Sequence, residues 1–497
     1  MNTADEFKSQ SVSRPDDSGS LIGTEANKIP LVVDLDGTLL KVDLLHEAFL
    51  SVLIRNPLAS LVALKALCIR GRCAFKAVIA DHFTPSTNNL PIDPAVLAFM
   101  QDARREGRPI YLATAADKRF ANAVAGLAFP FDGVFSTDAE TNLKGQKKAE
   151  LLVATFGLKG FDYIGNDGSD MHIWQVARKA LIAGASPGFE AKVKRSIPEA
   201  MSVSARVNKV PAAVRSMRPH QWLKNTLVAL PVVAGHAFDL LTIAEIALAF
   251  VSFCLAASSI YILNDLFDVE HDRAHPEKSK RPFAAGDLSI PHGLTLFITL
   301  LLLAIACASF LPSAFLAVIT IYIALSLAYS IYLKRKLMVD VIALSLLYGL
   351  RVIAGSAATS IVPSDWLLAF CFFLFVSLAL MKRSTELFDK ERFRTDSLLG
   401  RNYRYQDLAI LNPLMVGAGF MAVMVLALYI NSPEVKLLYT RPYVLWGACV
   451  VLTYWLGRAF FLTGRGEMKA DPVVFAATDR ISLLSILIIG GLLICAI

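Results

Sequence analysis

The chain has 497 residues, 55% of them hydrophobic, and a mean hydropathy of +0.52. That excludes an ordinary soluble protein. The net charge of +7 does not indicate a nucleic-acid partner, because the cations cluster in loops between apolar runs, where membrane topology places them.

The first 28 residues are polar and contain no apolar stretch, so they read as a disordered tail and not as a signal peptide. Leu31, Val32 and Val33 form a short buried-strand run that ends in the acidic turn Asp34-Leu35-Asp36-Gly37-Thr38. Residues 48–70 are apolar but interrupted by Arg55, Asn56 and Pro57. They read as a helical cap insertion, with the membrane surface as a second place for it to lie. Residues 109–113 and 161–165 look like parallel strands ending at functional loops. The alternation predicts a Rossmann-like α/β domain over 29–185, with ligands at the carboxyl ends of its strands. Residues 186–215, rich in Lys, Arg, Ser and Pro, are expected to be a linker.

The rest, 216–497, predicts an all-α polytopic membrane domain. Nine candidate spans occur, at about 222–239, 242–263, 290–311, 313–333, 338–359, 363–381, 409–431, 440–460 and 480–497. Pro231 and His236 interrupt the first. Alternate loops carry the Lys and Arg residues, among them Arg273, Lys278, Arg281, Lys334, Lys382 and Arg465, while the opposite loops hold little beyond Lys436 and Arg441. This asymmetry predicts a bacterial-type inner-membrane protein with its N-terminal domain and charged loops in the cytoplasm. The seven cysteines show neither CxxC nor zinc spacing. Trp366, Trp446 and Trp455 read as interfacial anchors or bundle packing.

The chemistry concentrates where the second span ends. Asp265, Asp268 and Asp272 fall at i, i+3 and i+7, so a continuous helix would put three carboxylates on one face. Carboxylates at a membrane edge need a cationic partner, and Mg²⁺ carrying a diphosphate would supply one. Lys278 and Arg281 follow as phosphate-binding cations. The next charged loop holds Tyr329, Ser330, Leu333 and Lys334, with Asp340 opening the span after it. Arg351 lies midway along that span and is expected either to face a polar cavity or to sit in a buried ion pair. Lys382 and Arg383 are explained by loop topology, with a phosphate contact as the alternative.

On these residues the region from about 210 onward resembles the UbiA superfamily of intramembrane prenyltransferases. The resemblance implies nine helices around a central cavity, with Mg²⁺-diphosphate between two acidic motifs. Asn264, Asp265, Asp268 and Asp272 match the first motif. Tyr329, Ser330, Leu333, Lys334 and Asp340 match the second motif of the branch that makes polyprenyl-phosphoribose. The segments Arg218 to Asn225 (with Lys224) and Asp471 to Phe475 also look like that branch. The resemblance therefore implies Asp265, Asp268, Lys334, Asp340 and Arg351 as catalytic, and Asn264, Lys224, Lys278, Arg281 and Tyr329 as substrate-binding. Asp265, Asp268 and Asp272 become metal ligands. The implied partners are polyprenyl phosphate and phosphoribosyl diphosphate. A 4-hydroxybenzoate-type aromatic prenyltransferase is the rival reading, since the same metal site serves both.

The acidic turn of the first domain resembles the haloacid-dehalogenase-like phosphohydrolases. That likeness implies Asp34 as nucleophile and Asp36 as general acid and base. Thr114 and Lys148 (or Lys147) would hold phosphate oxygens, with Mg²⁺ near Asp34 and Asp170. Asn166 stands where that family has an acid. The two functions open to this domain are a phosphatase acting on the product of the membrane half and a non-catalytic docking or scaffold role.

Overall fold

The computed structural model describes residues 29–84, 89–137, 142–205, 208–393, 402–468 and 471–497. The expected N-terminal tail lies outside them.

Six parallel strands form one sheet in the order β3-β2-β1-β4-β5-β6: β1 Leu31–Val33, β2 Ile110–Asp117, β3 Gly133–Thr137, β4 Asp162–Gly165, β5 Lys179–Ala183 and β6 Met201–Ser204. This is a doubly wound α/β sheet whose order reverses between β1 and β4, so a crevice forms beyond their carboxyl ends. Two apolar clusters, one around Leu31 and Leu112 and one around Val32 and Trp174, cover its faces. The expected linker is corrected here. Residues 187–196 form a helix and 201–204 the sixth strand, so the sheet extends well past 185. Loop-like composition concealed an edge strand whose pattern is half polar.

The expected cap is three helices: α1 Leu44–Arg55, α2 Pro57–Arg70 and α3 Arg72–His82. Asp43 caps α1 by accepting from the Leu45 and His46 amides. Asn56 ends α1 and caps α2, with Pro57 at the first turn. The break between the two is why this apolar stretch is no span.

Among the described residues the second half contains seven helices long and apolar enough to cross a membrane, and eight if the pair Pro472–Thr478 and Arg480–Ala496, bent by 77°, counts as one span. The first expected span is not a continuous helix among the described residues. It is a 3₁₀ segment, Pro219–Ala229, then a short helix, Leu230–Ala234. Pro231 stands in the first turn of that short helix, where proline is tolerated, and His236 at φ 52° follows its end. The 3₁₀ segment lies tight on the Val339–Thr359 helix, because a Cβ on Gly355 would stand 1.8 Å from the Val228 carbonyl oxygen. That contact carries Asn225 to Arg351.

The two halves share a core. Leu50 of α1 is buried in one apolar cluster with Ile262, Leu266, Phe283 and Ile290 of the helical half. Beside it Arg273 forks onto Glu47, with side chains only 7% and 11% exposed. Removing one partner of such a pair leaves a buried charge, at a cost of about 3–5 kcal/mol. Arg273→Met should therefore lower the thermal midpoint of the purified full-length chain by several degrees. The double variant Glu47→Gln/Arg273→Met should recover much of the loss. Equal midpoints for wild type and the single variant would contradict a stabilising role for this contact.

Candidate functional site

At one end of the helical half lies a cavity of about 510 Å³. Arg218 just before the 3₁₀ segment and Lys224 within it line the cavity, with Asn264 and Asp265 at the end of the Leu240–Phe267 helix and Asp268 just past it. Lys278 and Arg281 come from the loop after it, and Tyr329 and Lys334 from the end of the Ser313–Ile331 helix. Arg351, Lys382, Arg383 and Asp471 complete the polar wall. Ala257, Ile260, Leu344 and Leu347 make an apolar one.

The three acids do not share one helical face. The helix ends at Phe267, Asp268 takes φ −100° and ψ 9°, and a short helix, Val269–Ala274, carries Asp272. Asp265 and Asp272 are each 2% exposed and are joined through Arg281, at 3.1 and 2.7 Å. Arg218 also holds Asp265. Asp272 therefore stands behind the cavity wall and not on it. Burial raises its carboxyl above the usual range, against the pull of Arg281. Asp268 is more open and faces Lys334 at 3.4 Å.

Asp340 is also corrected: it is fully buried and does not line the cavity. It accepts from the Tyr403 hydroxyl at 2.5 Å and pairs with Arg383 Nε at 3.1 Å. Arg383 in turn donates to the Tyr329 hydroxyl at 3.2 Å. Asp340 is thus placed to position those two cavity residues. Lys224 and Lys382 both pair with Asp471, at 2.7 and 3.0 Å.

Arg351 is 4% exposed and lines the cavity. Its partners are neutral oxygens: Asn225 Oδ1 at 2.9 Å, the Tyr322 hydroxyl at 3.1 Å and the Leu347 carbonyl. It also lies over the Tyr322 and Tyr348 rings. Among the described residues no carboxylate stands within ion-pair distance of it, so the buried-ion-pair alternative is not what the fold uses. Arg218, Asp471, Tyr322 and Tyr403 were not singled out as site residues from the sequence. Arg218 follows no periodicity. It reaches Asp265 because it turns at φ 54° between two helices.

No three His, Cys, Asp or Glu side chains converge as a metal cluster among the described residues. Mg²⁺ does not require one, since one or two carboxylates plus substrate phosphates suffice. Asp265 and Asp268 flank the same cavity, and the buried Asn264 Oδ1 has no hydrogen-bond partner. That donor set fits a divalent cation carried in with a diphosphate.

A second cavity, of about 860 Å³, opens at the carboxyl ends of β1 and β4. Asp34, Asp36, Lys148 and Asp170 line it. Lys148 Nζ donates to Asp34 Oδ1 at 2.7 Å and to the Tyr163 hydroxyl at 3.0 Å. That hydroxyl donates to Asp170 at 2.8 Å. Lys148, not the exposed Lys147, is the inward lysine. Burial pulls the Lys148 ammonium down, and Asp34 and Asp170 outweigh it, so its pKa rises. Burial, then the charge of Asp43, pushes Asp36 well above the usual carboxylate range. Burial and Asp34 push Asp170 up to about 6. Thr114 is fully buried, accepts from the Ala116 amide and does not line the cavity. Asn166 packs against Gly37, which sits at φ 75° where a Cβ would be 2.1 Å from the amide nitrogen. Asp170 already accepts three hydrogen bonds, from Tyr163, Asn166 and Asp167. With an amide at 166 as well, this site fits Mg²⁺ poorly. The helical half closes one side of this cavity with Gly286, Asp287, Ser289 and His292.

Comparison with known proteins bears on both halves. The chain is 34% identical over 462 residues to an uncharacterized protein of Sinorhizobium fredii, covering 92% of this chain and 88% of that one. It is 40% identical over 185 residues to the decaprenyl-phosphate phosphoribosyltransferase of Corynebacterium glutamicum, covering 36% of this chain and 55% of that one. A solved UbiA homolog from Archaeoglobus fulgidus, bound to DMAPP and Mg²⁺, matches with a TM-score of 0.45 at 18% identity, covering 56% of this chain and 98% of that one. Residues 224–488 match the model of the UbiA prenyltransferase family, more than half the chain. With its apolar helices and the cavity at their end, the chain belongs to the UbiA prenyltransferase family, as a multi-pass membrane protein fused to an α/β domain.

Proposed function

We propose that the helical half transfers a 5-phosphoribosyl group from phosphoribosyl diphosphate to a polyprenyl phosphate. The observation that carries this reading is Arg351, a buried cation that faces the cavity with only neutral partners. The whole lining agrees, with eight Lys or Arg side chains against five Asp or Glu. Such a cavity suits two phosphate-bearing substrates better than one prenyl diphosphate and a neutral ring. The similarity to decaprenyl-phosphate phosphoribosyltransferases supports the same choice.

In this reading Asp265 and Asp268, with Asn264, hold Mg²⁺, which when bound offsets charge on the departing diphosphate. Lys278, Arg281 and Lys334 bind the phosphate oxygens of the donor. Arg351, Lys224 and Tyr329 orient the two substrates, and the wall of Ala257, Ile260 and Leu344 takes the start of the lipid tail. A phosphate oxygen of the acceptor attacks C1 of the ribose, the C1–O bond to diphosphate breaks, and diphosphate leaves. No protein nucleophile takes part. The chain supplies position and charge.

Asp268→Ala should leave the protein inserted while lowering turnover by orders of magnitude. Wild-type turnover in that variant would remove Asp268 from the reaction. Lys334→Ala should raise KM for phosphoribosyl diphosphate about tenfold to a hundredfold, the equivalent of one lost charge-assisted contact of about 1.5–3 kcal/mol. A defect confined to polyprenyl phosphate would contradict this assignment.

The α/β domain, in the same reading, removes the 5-phosphate of the product on the cytoplasmic face of a bacterial inner membrane. The alternating Lys/Arg loops support that side. Asp34 attacks phosphorus, and the sugar oxygen leaves with a proton from Asp36, whose raised pKa keeps that proton available. Water, deprotonated by Asp36, then releases phosphate from Asp34. Lys148 holds Asp34 in place. In the coupled reaction Asp34→Asn should accumulate polyprenyl-phosphoryl ribose 5-phosphate while wild type releases inorganic phosphate. The same 5-phosphorylated product from both would make the domain a docking module.

A further inference from the structure

Helix α2 is built inside out for a soluble surface. Its small side chains, Ala59, Ser60 and Ala63, face the protein. Its large ones face away: Leu58, Leu61, Val62 and Ile69 are 74%, 63%, 57% and 69% exposed. Offsets of 3, 4 and 11 from Leu58 set them along one stripe of the helix. Lys65, at offset 7, is the one charge on this face, and its long stem can lie along the apolar side chains with its ammonium at their edge. An exposed apolar stripe of this kind marks an interaction surface.

Charge and position say what covers it. Between Glu47 and Asp81 the chain has no acid and five cations: Arg55 pairs with Glu270 and Lys76 donates inward to Ala115 and Asn142, which leaves Lys65, Arg70 and Arg72 exposed. Helix α1 shares its apolar cluster with Leu266 and Ile290, at the ends of two membrane helices. Its last residue, Arg55, pairs with Glu270, just past the end of the Leu240–Phe267 span. Only Asn56 separates α1 from α2. The apolar stripe thus begins where the bilayer core gives way to headgroups.

We propose that α2 lies in the surface of the adjoining leaflet, with its apolar stripe at the acyl boundary and its cations on anionic lipid headgroups. The inference rests on membrane insertion of the helical half and not on the chemistry of either cavity. It has a consequence for the second cavity. Leu67, Arg72, Phe75 and Lys76, from α2 and α3, line that cavity. Its roof is then anchored in the leaflet, and its mouth is placed for a phosphate carried on a lipid.

The test uses the full-length chain, its native cysteines replaced, with Leu61→Cys carrying an environment-sensitive fluorophore. The protein is reconstituted in vesicles of phosphatidylcholine and phosphatidylglycerol containing nitroxide-labelled lipid. Leu158→Cys, at a position 68% exposed before β4 and so at the opposite end of the sheet, is the control. Strong quenching at position 61 and none at 158 is expected. Equal quenching at both would overturn the proposal. So would intermolecular crosslinking through position 61 without quenching, which would assign the stripe to a second copy. In the unsubstituted chain Cys68, exposed on α2, gives a second reading. Its modification by a water-soluble maleimide, followed by peptide mass spectrometry, should slow several-fold as phosphatidylglycerol replaces phosphatidylcholine. A rate indifferent to lipid charge would overturn the headgroup contact.

Discussion

Charge placed where a membrane helix ends has to be paired or presented to a polar ligand. That constraint organises the helical half. Arg281 ties Asp265 to Asp272, Lys334 faces Asp268, and Asp471 gathers Lys224 and Lys382. The Lys334–Asp268 pair and the two pairs on Asp471 join segments far apart in the chain, so satisfying them brings the charged loops to one cavity. The network also leaves a deliberate imbalance. Arg351 remains buried against neutral oxygens, and cations outnumber acids along the lining. A diphosphate arriving with a divalent cation would exchange partners with these pairs and supply Arg351 with the counter-charge it lacks. The cost of opening the site is therefore smaller than the burial of its charges alone would suggest.

The same constraint fixes the α/β domain to the helical half. Glu47 and Arg273 are almost fully buried and satisfy one another across the junction, and Leu50 sits in the apolar cluster that includes Leu266. A buried ion pair inside a shared core resists sliding, because displacement strands both charges. The second cavity is accordingly walled by residues of both halves, Asp34 and Lys148 on one side and Ser289 and His292 on the other. If the two halves act in sequence as proposed, tethering in one chain raises the effective concentration of the product that passes between them.

Much of this was legible in the sequence because it is written in local patterns. The spanning helices follow from apolar length, and the β1 and β4 turns follow from apolar runs that end in acids. Lys148 was one of two adjacent candidates, and only burial separates it from Lys147. The failures share a cause, which is backbone geometry that periodicity does not encode. A helix break at Asp268 takes Asp272 off the face it would share with Asp265. The first span opens as a 3₁₀ segment, Pro219–Ala229, after the turn at Arg218, and that segment is what brings Asn225 to Arg351. Asp340 fits a motif but stands behind Arg383 and Tyr403, a distinction visible only once those partners are in place. The strand at 201–204 has the composition of a linker because an edge strand carries little hydrophobic signal.

In the proposed reading the cavity joins a phosphoribosyl donor to a lipid phosphate. The most direct measurement incubates membranes containing the chain with radiolabelled phosphoribosyl diphosphate and polyprenyl phosphate, then identifies the labelled lipid. A parallel incubation supplies prenyl diphosphate and 4-hydroxybenzoate. The expected result is label in a polyprenyl-phosphoryl ribose species, dependent on Mg²⁺, and no prenylated aromatic acid. Prenylation of 4-hydroxybenzoate, with no label entering polyprenyl phosphate, would contradict it.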